Sequence, residues 1–163
     1  MASFFRQADT VGDGTGTKNA AVNGSVTPVK FILTPRTGER SLRIYRLLGF
    51  VVDTGTFDSG SYGNGITMTN GITMKHIDDS NRTILDFMDG DPVLKNPDWK
   101  RLCYDATVSS YGVGDEALAV RWTFTNSGPP ISIPFGDRIE IEINDDLTGL
   151  VNQRFTFEGA VKS

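Results

Sequence analysis

Leu118-Ala119-Val120-Arg121-Trp122-Thr123-Phe124 alternates large apolar residues with small or polar ones at every step, and Arg138-Ile139-Glu140-Ile141-Glu142-Ile143 repeats the pattern with isoleucine against charge. A period of two turns one face of an extended chain toward a core and the other toward water, so both stretches read as half-buried antiparallel strands. Similar runs recur between breaks rich in Gly, Asn and Pro, at 29–34, 41–53, 65–68, 72–77, 83–87, 104–109, 130–133 and 152–161, with the two quoted stretches extending to 117–125 and 138–144. Nine or ten strands at this spacing predict two sheets, and hence an all-β, antiparallel β-sandwich or barrel. The one helical signal is Asn96-Pro97-Asp98-Trp99, where Asn96 suits a cap, Pro97 the first helical position and Asp98 the positive end of the dipole. It predicts a short helix ending near Leu102.

With 163 residues the chain suits one domain, able to bury roughly two thirds of its unfolded surface without metal or disulfide staples. Residues 1–27 read as a flexible N-terminal arm, because Gly12, Gly14, Gly16 and Gly24 stand among Asp, Thr, Asn and Ser with too few apolar residues for an element with a buried face. Residues 28–163 then form the single β domain. Phe4 and Phe5 are the exception within the arm: they are expected to anchor it in a partner's groove, so that a chain lacking residues 1–24 still folds but binds less well.

Lys and Arg number 16 against 20 Asp and Glu, a net charge of −4 with no basic cluster, which argues against a nucleic-acid groove. No apolar run approaches the roughly 18 residues of a membrane span, and the start lacks the basic and continuous apolar stretches of a signal peptide. The expected protein is soluble, with no nucleic-acid or membrane partner. Cys103 is unpaired, which fits a small buried residue in a reducing compartment.

The near copies Asn64-Gly65-Ile66-Thr67-Met68-Thr69 and Asn70-Gly71-Ile72-Thr73-Met74-Lys75 read as a hairpin. A three-residue loop, Thr69-Asn70-Gly71, places Ile66, Met68, Ile72 and Met74 on one face and asks Gly71 for a positive φ, whereas a two-residue loop splits the apolar residues between faces. Leu47-Leu48-Gly49-Phe50-Val51-Val52 is apolar on both faces. Its second face must be covered by a loop, by the arm or by another subunit, which makes Leu47, Phe50 and Val52 candidate contact residues.

Catalytic and metal signals are sparse. His76 is the only histidine and follows no nucleophile motif, so it reads as a surface or edge-strand residue. One His and one Cys do not make a zinc site. Gly12-Asp13-Gly14-Thr15-Gly16 has the look of a phosphate loop, but no strand precedes it and no Lys-Ser or Lys-Thr pair completes it. The acidic groups Asp86, Asp89 and Asp91, and Asp145 and Asp146, lack calcium-loop spacing and read as side chains bonded to their own turns. Tyr62 and Tyr111 lie in Gly-flanked loops, where they are placed to meet a partner. No cofactor is indicated.

Five islands, Asp9 to Asn19, Tyr62-Gly63-Asn64-Gly65-Ile66 with Asn70-Gly71-Ile72, Leu118 to Phe124, Asp137 to Glu140, and Asn144 to Leu150, together resemble small virion structural proteins of tailed bacteriophages. The resemblance implies a non-enzymatic capsid cement or decoration protein: a jelly-roll-like sandwich held as a dimer or trimer on the lattice of the major capsid protein and assembled in the bacterial cytoplasm. A neck, tail or fibre-base position would use the same fold. A carbohydrate-binding β-sandwich reading glycans through Tyr62, Tyr111 and the acidic loops is the rival from another class.

Overall fold

The computed structural model describes residues 1–54, 69–87, 105–110, 115–123 and 129–163. Within them run the strands β1 (Ala2–Gln7), β2 (Val29–Leu33), β3 (Ser41–Thr54), β4 (Ile72–Ile77), β5 (Thr83–Asp86), β6 (Asp105–Ser110), β7 (Asp115–Thr123), β8 (Ile131–Pro134), β9 (Arg138–Ile143) and β10 (Asn152–Lys162). All pairings are antiparallel. One sheet has the order β1-β10-β3-β7-β6, with β8 also on β3, and the other has the order β2-β9-β4-β5. The fold is all-β, with no helix among the described residues.

Strand β9 shows how the alternating pattern becomes packing. Ile139, Ile141 and Ile143 are fully buried, and each contributes roughly 1.5–3 kcal/mol by leaving water. Between them, Glu140 and Glu142 take Lys30 of β2 at 2.8 and 3.6 Å, and Arg138 Nε donates to Glu140 at 3.0 Å. Half-buried pairs of this kind on a sheet's outer face contribute about 1 kcal/mol or less, so the isoleucines hold the strand and the charges mark its outer face. The isoleucines join Phe31, Leu33 and Met74 of their own sheet and Leu42, Ile44, Leu47, Val51, Phe155 and Phe157 of the other in one hydrophobic cluster.

Strand β3 is central to the larger sheet. β8 pairs with it at Ser41 to Ile44 and β7 at Arg46 to Thr54, while β10 runs along its opposite edge. Against β10 the register slips between Glu158 and Gly159, leaving Tyr45 unpaired at the point where β3 passes from β8 to β7. The two-sided apolar run lies here. Leu47 and Val51 are buried, and Val52 on the opposite face is only 1 % exposed, so at Val52 the chain itself supplies the cover; Leu48 and Phe50 are half-buried.

Residues 1–27 do not stand apart from the body as an arm. Ala2–Gln7 forms β1, paired along its length with β10 from Ala2–Val161 to Gln7–Thr156. Phe4 is buried against the core beneath the Arg6 guanidinium, which lies 5.2 Å from its ring centroid, whereas Phe5 is 68 % exposed. The chain then crosses to the second sheet, where Asp9 and Ile32 exchange backbone hydrogen bonds of 3.1 and 2.7 Å at the outer edge of β2. It returns through Ala20, whose N–H donates to Gln153 O, and Val22, whose carbonyl accepts from Leu147 N–H. Ala8 and Ala20 are part of the core. The expectation of an arm failed because apolar content was the criterion, and this segment is held mainly by backbone hydrogen bonds and small buried residues.

Gly71 has φ +80°, and Ile72 and Met74 are buried, as expected, but the hairpin register is blocked: Met74 pairs with Ile141 of β9 on one side, and its carbonyl accepts from the Phe87 N–H at 2.9 Å on the other, which leaves no edge there for Ile66. Residues 65–68, expected as the partner strand, and 96–102, expected as a helix, lie outside the described residues.

Candidate functional site

The loop that resembled a phosphate cradle already holds an anion of its own. Asp9 is fully buried, and its Oδ1 accepts N–H bonds from Val11 at 2.8 Å, Gly12 at 2.7 Å and Gly16 at 3.3 Å, while Oδ2 accepts from Gly14 at 2.7 Å. Such convergence of amides requires left-handed steps, and Gly12 and Gly14 both sit at φ +97°. A side-chain carboxylate thus occupies the position a phosphate would take.

Asp145 does the same at a distance in sequence. Its carboxylate accepts N–H bonds from Thr69 at 3.0 Å, Asn70 at 3.0 Å and Gly71 at 2.5 Å, tying the turn before β4 to the loop after β9. This differs from the expectation that it bonds its own turn. Asp146 does behave as expected, accepting from Thr148 N–H and Oγ1–H, and Asp13 holds Thr15 in the same way.

His76 is neither at the surface nor on an edge. β4 lies between β9 and β5, His76 is 5 % exposed, and its Nε2 lies 2.7 Å from Asp137 Oδ2. Such a pair fixes the ring, but acid–base work needs a reacting group beside it as well. Among the described residues no three His, Cys, Asp or Glu side chains are grouped to hold a metal ion. Tyr62, Tyr111, Cys103, Asp89 and Asp91 lie outside the described residues. The remaining expected contact residues do not form one surface: Phe4, Leu47 and Val52 are buried, Phe50 is half-buried and Phe5 is exposed.

What the structure adds is a cleft of about 260 Å³ beside β1, where Phe5 and Gln7 face the Gly12 to Gly14 turn, Lys18 and Arg36. Arg6 also lines it but is committed to Glu39, donating to both carboxylate oxygens. Lys18 and Arg36 have no ion pair with another described residue. The Arg36 guanidinium lies against Gly14, where an added Cβ would come within 2.7 Å of its Nη2. Lys18 and Arg36 are 18 positions apart, a spacing that carries no signal. The Asp9 clamp had one: an acidic residue just ahead of three alternating glycines.

The hydrogen bond from Arg6 holds the Glu39 carboxyl below the usual carboxylate range despite some burial. Hydrogen bonds from Thr15 and Thr148 do the same for Asp13 and Asp146. Carboxylates depressed in the folded state bind fewer protons there than in the unfolded chain, so their stabilisation is present above the unfolded value of about 4 and is lost as pH falls through the folded one. Thermal stability should therefore hold from pH 7 to about 5 and fall below about 4. Glu39→Gln should start lower at pH 7 and lose less on acidification; a parallel fall in both proteins would remove the Arg6–Glu39 pair from the acid response.

Comparison with protein-family models, curated proteins and solved structures finds no match to this chain.

Proposed function

We propose that the protein is a non-enzymatic structural component of a tailed-bacteriophage virion, a capsid cement or decoration protein that binds the major capsid protein lattice as a homodimer or homotrimer. The observation that carries this reading is where the polar chemistry goes. Asp9, Asp145 and Asp146 spend their carboxylates on backbone amides, and Asp137 fixes the lone histidine. A shell protein needs rigid loops on a β body rather than a reactive centre, and rigid loops are what these groups supply. Two islands of the virion-protein resemblance, Asp9 to Asn19 and Asn144 to Leu150, coincide with these clamped turns. Two sheets whose inner faces share one hydrophobic cluster are compatible with a jelly-roll-like sandwich.

The experiment is to mix purified protein with particles that lack it and locate the added density by electron microscopy. Regular density over the shell is expected. Density confined to a neck, tail or fibre base would move the protein to that position. Empty particles together with saturable binding on a glycan array would replace the reading with a carbohydrate-binding module.

A further inference from the structure

Strand β1 ends the order of its sheet, and its second edge meets no other strand among the described residues. The Ala8 N–H points into the sheet, donating to Phe155 O at 2.9 Å. Backbone direction alternates along an antiparallel strand, so Phe4 and Arg6 turn their N–H and C=O groups toward β10, and Phe5 and Gln7 turn theirs outward. Both of those residues line the 260 Å³ cleft.

Native edges are usually protected by Lys, Pro, a bulge or an outward charge. β1 has no Lys or Pro, its one charge is Arg6, and Arg6 is turned to Glu39. Instead it displays Phe5, 68 % exposed. Across the cleft stand Lys18 and Arg36. Asp13 lines the cleft and Glu39 stands behind it on Arg6, both acting on Arg36, so three cations, Arg6, Lys18 and Arg36, against two carboxylates leave a positive excess of one in a chain of net −4.

We propose that this edge is a docking site for an acidic peptide segment in extended conformation, which adds to β1 as a further strand and sets a carboxylate between Lys18 and Arg36. Main-chain bonds at Phe5 and Gln7 would supply binding in any sequence, and the two cations would select acidic side chains, as in other cases of strand addition. A free phosphate or a sugar acid would meet the cations but leave the strand edge and Phe5 unanswered. The proposal rests on the edge and its flanking charges and does not depend on where the protein assembles.

The test is calorimetric titration of the full chain with a capped hexapeptide of alternating Asp and Val, beside the matched Asn/Val and Lys/Val peptides, inorganic phosphate and glucuronate. The acidic peptide should bind at least about tenfold more tightly than the Asn/Val peptide, a gap of about 1.4 kcal/mol. Lys18→Glu and Arg36→Glu should each remove most of that preference, whereas Arg154→Glu, an exposed change of equal charge on β10, should not. Hydrogen exchange on the unmodified protein gives an independent readout: the Phe5 and Gln7 amides should slow in the complex. No saturable binding of the acidic peptide, equal binding of the Asn/Val peptide, or unchanged exchange at both amides would each overturn the proposal. Phosphate or glucuronate binding as tightly as the peptide would reduce the cleft to a site for small anions.

Discussion

Asp9→Ala is expected to be the most damaging single substitution among the polar residues, lowering stability by about 3–5 kcal/mol. Four amides converge on that buried carboxylate, and the Gly12 bond is itself fully buried. An orphaned buried donor costs roughly 1–3 kcal/mol, and the glycine-rich loop recovers part of the loss by opening to water. Against a total of about 5–15 kcal/mol this is a large fraction, and for a chain of this size it corresponds to a fall in Tm of about 10 °C. Asp9→Asn should cost less, because its oxygen can keep the Val11 and Gly12 bonds while its amide group faces the Gly14 N–H. A thermal melt of the three proteins checks the order. An alanine variant within about 1 kcal/mol of the parent would show that the loop holds itself.

Deleting residues 1–24 should abolish cooperative folding. The cut removes β1 with its ladder to β10, takes Phe4, Ala8 and Ala20 from the core, and strips the cover from Ile32 at the edge of β2. It also removes the partners of Gln153, Asp145 and Leu147, so both sheets lose a border at once. A shorter deletion of residues 1–7 removes only the outer strand, and a folded protein of reduced Tm is expected. Soluble expression, circular dichroism and calorimetry distinguish the outcomes. A 25–163 fragment that melts cooperatively near the parent Tm would restore the reading of this segment as a dispensable arm.

The two deletions mark where the sequence could and could not be read. β9 was legible because one of its faces is wholly apolar and buried, and β4 was legible from Ile72 and Met74, although His76 shares their buried face. β1 was not, because its inward positions include Ala2 and Arg6, and an ion-paired arginine on the core side erases the alternation. At the Gly71 turn the positive φ and the burial of Ile72 and Met74 were legible, but the hairpin was wrong, because local register cannot show that β9 and the Phe87 amide take both sides of Met74. The turn's clamp by Asp145 was not legible, because the partners are some 75 positions apart and each reads locally as an ordinary turn residue. His76 misled for the opposite reason: a lone polar residue in a strand suggests an edge, yet the Asp137 that makes its burial tolerable arrives from a distant turn.

The pairing of Ala2 with Val161 has a further consequence, for the order of assembly. Strand β1 is synthesised well before β10, its one ladder partner among the described residues, and until then it is an unpaired edge carrying two phenylalanines, the kind of segment that invites misassociation. Closing that seam costs the loop entropy of nearly the whole chain, and topologies dominated by such distant contacts fold slowly. The same register brings the two ends of the sequence side by side. A linker of about three residues from Ser163 to Met1, with new ends opened elsewhere, would turn the outermost seam into a hairpin and make the most distant pairing in the molecule its most local.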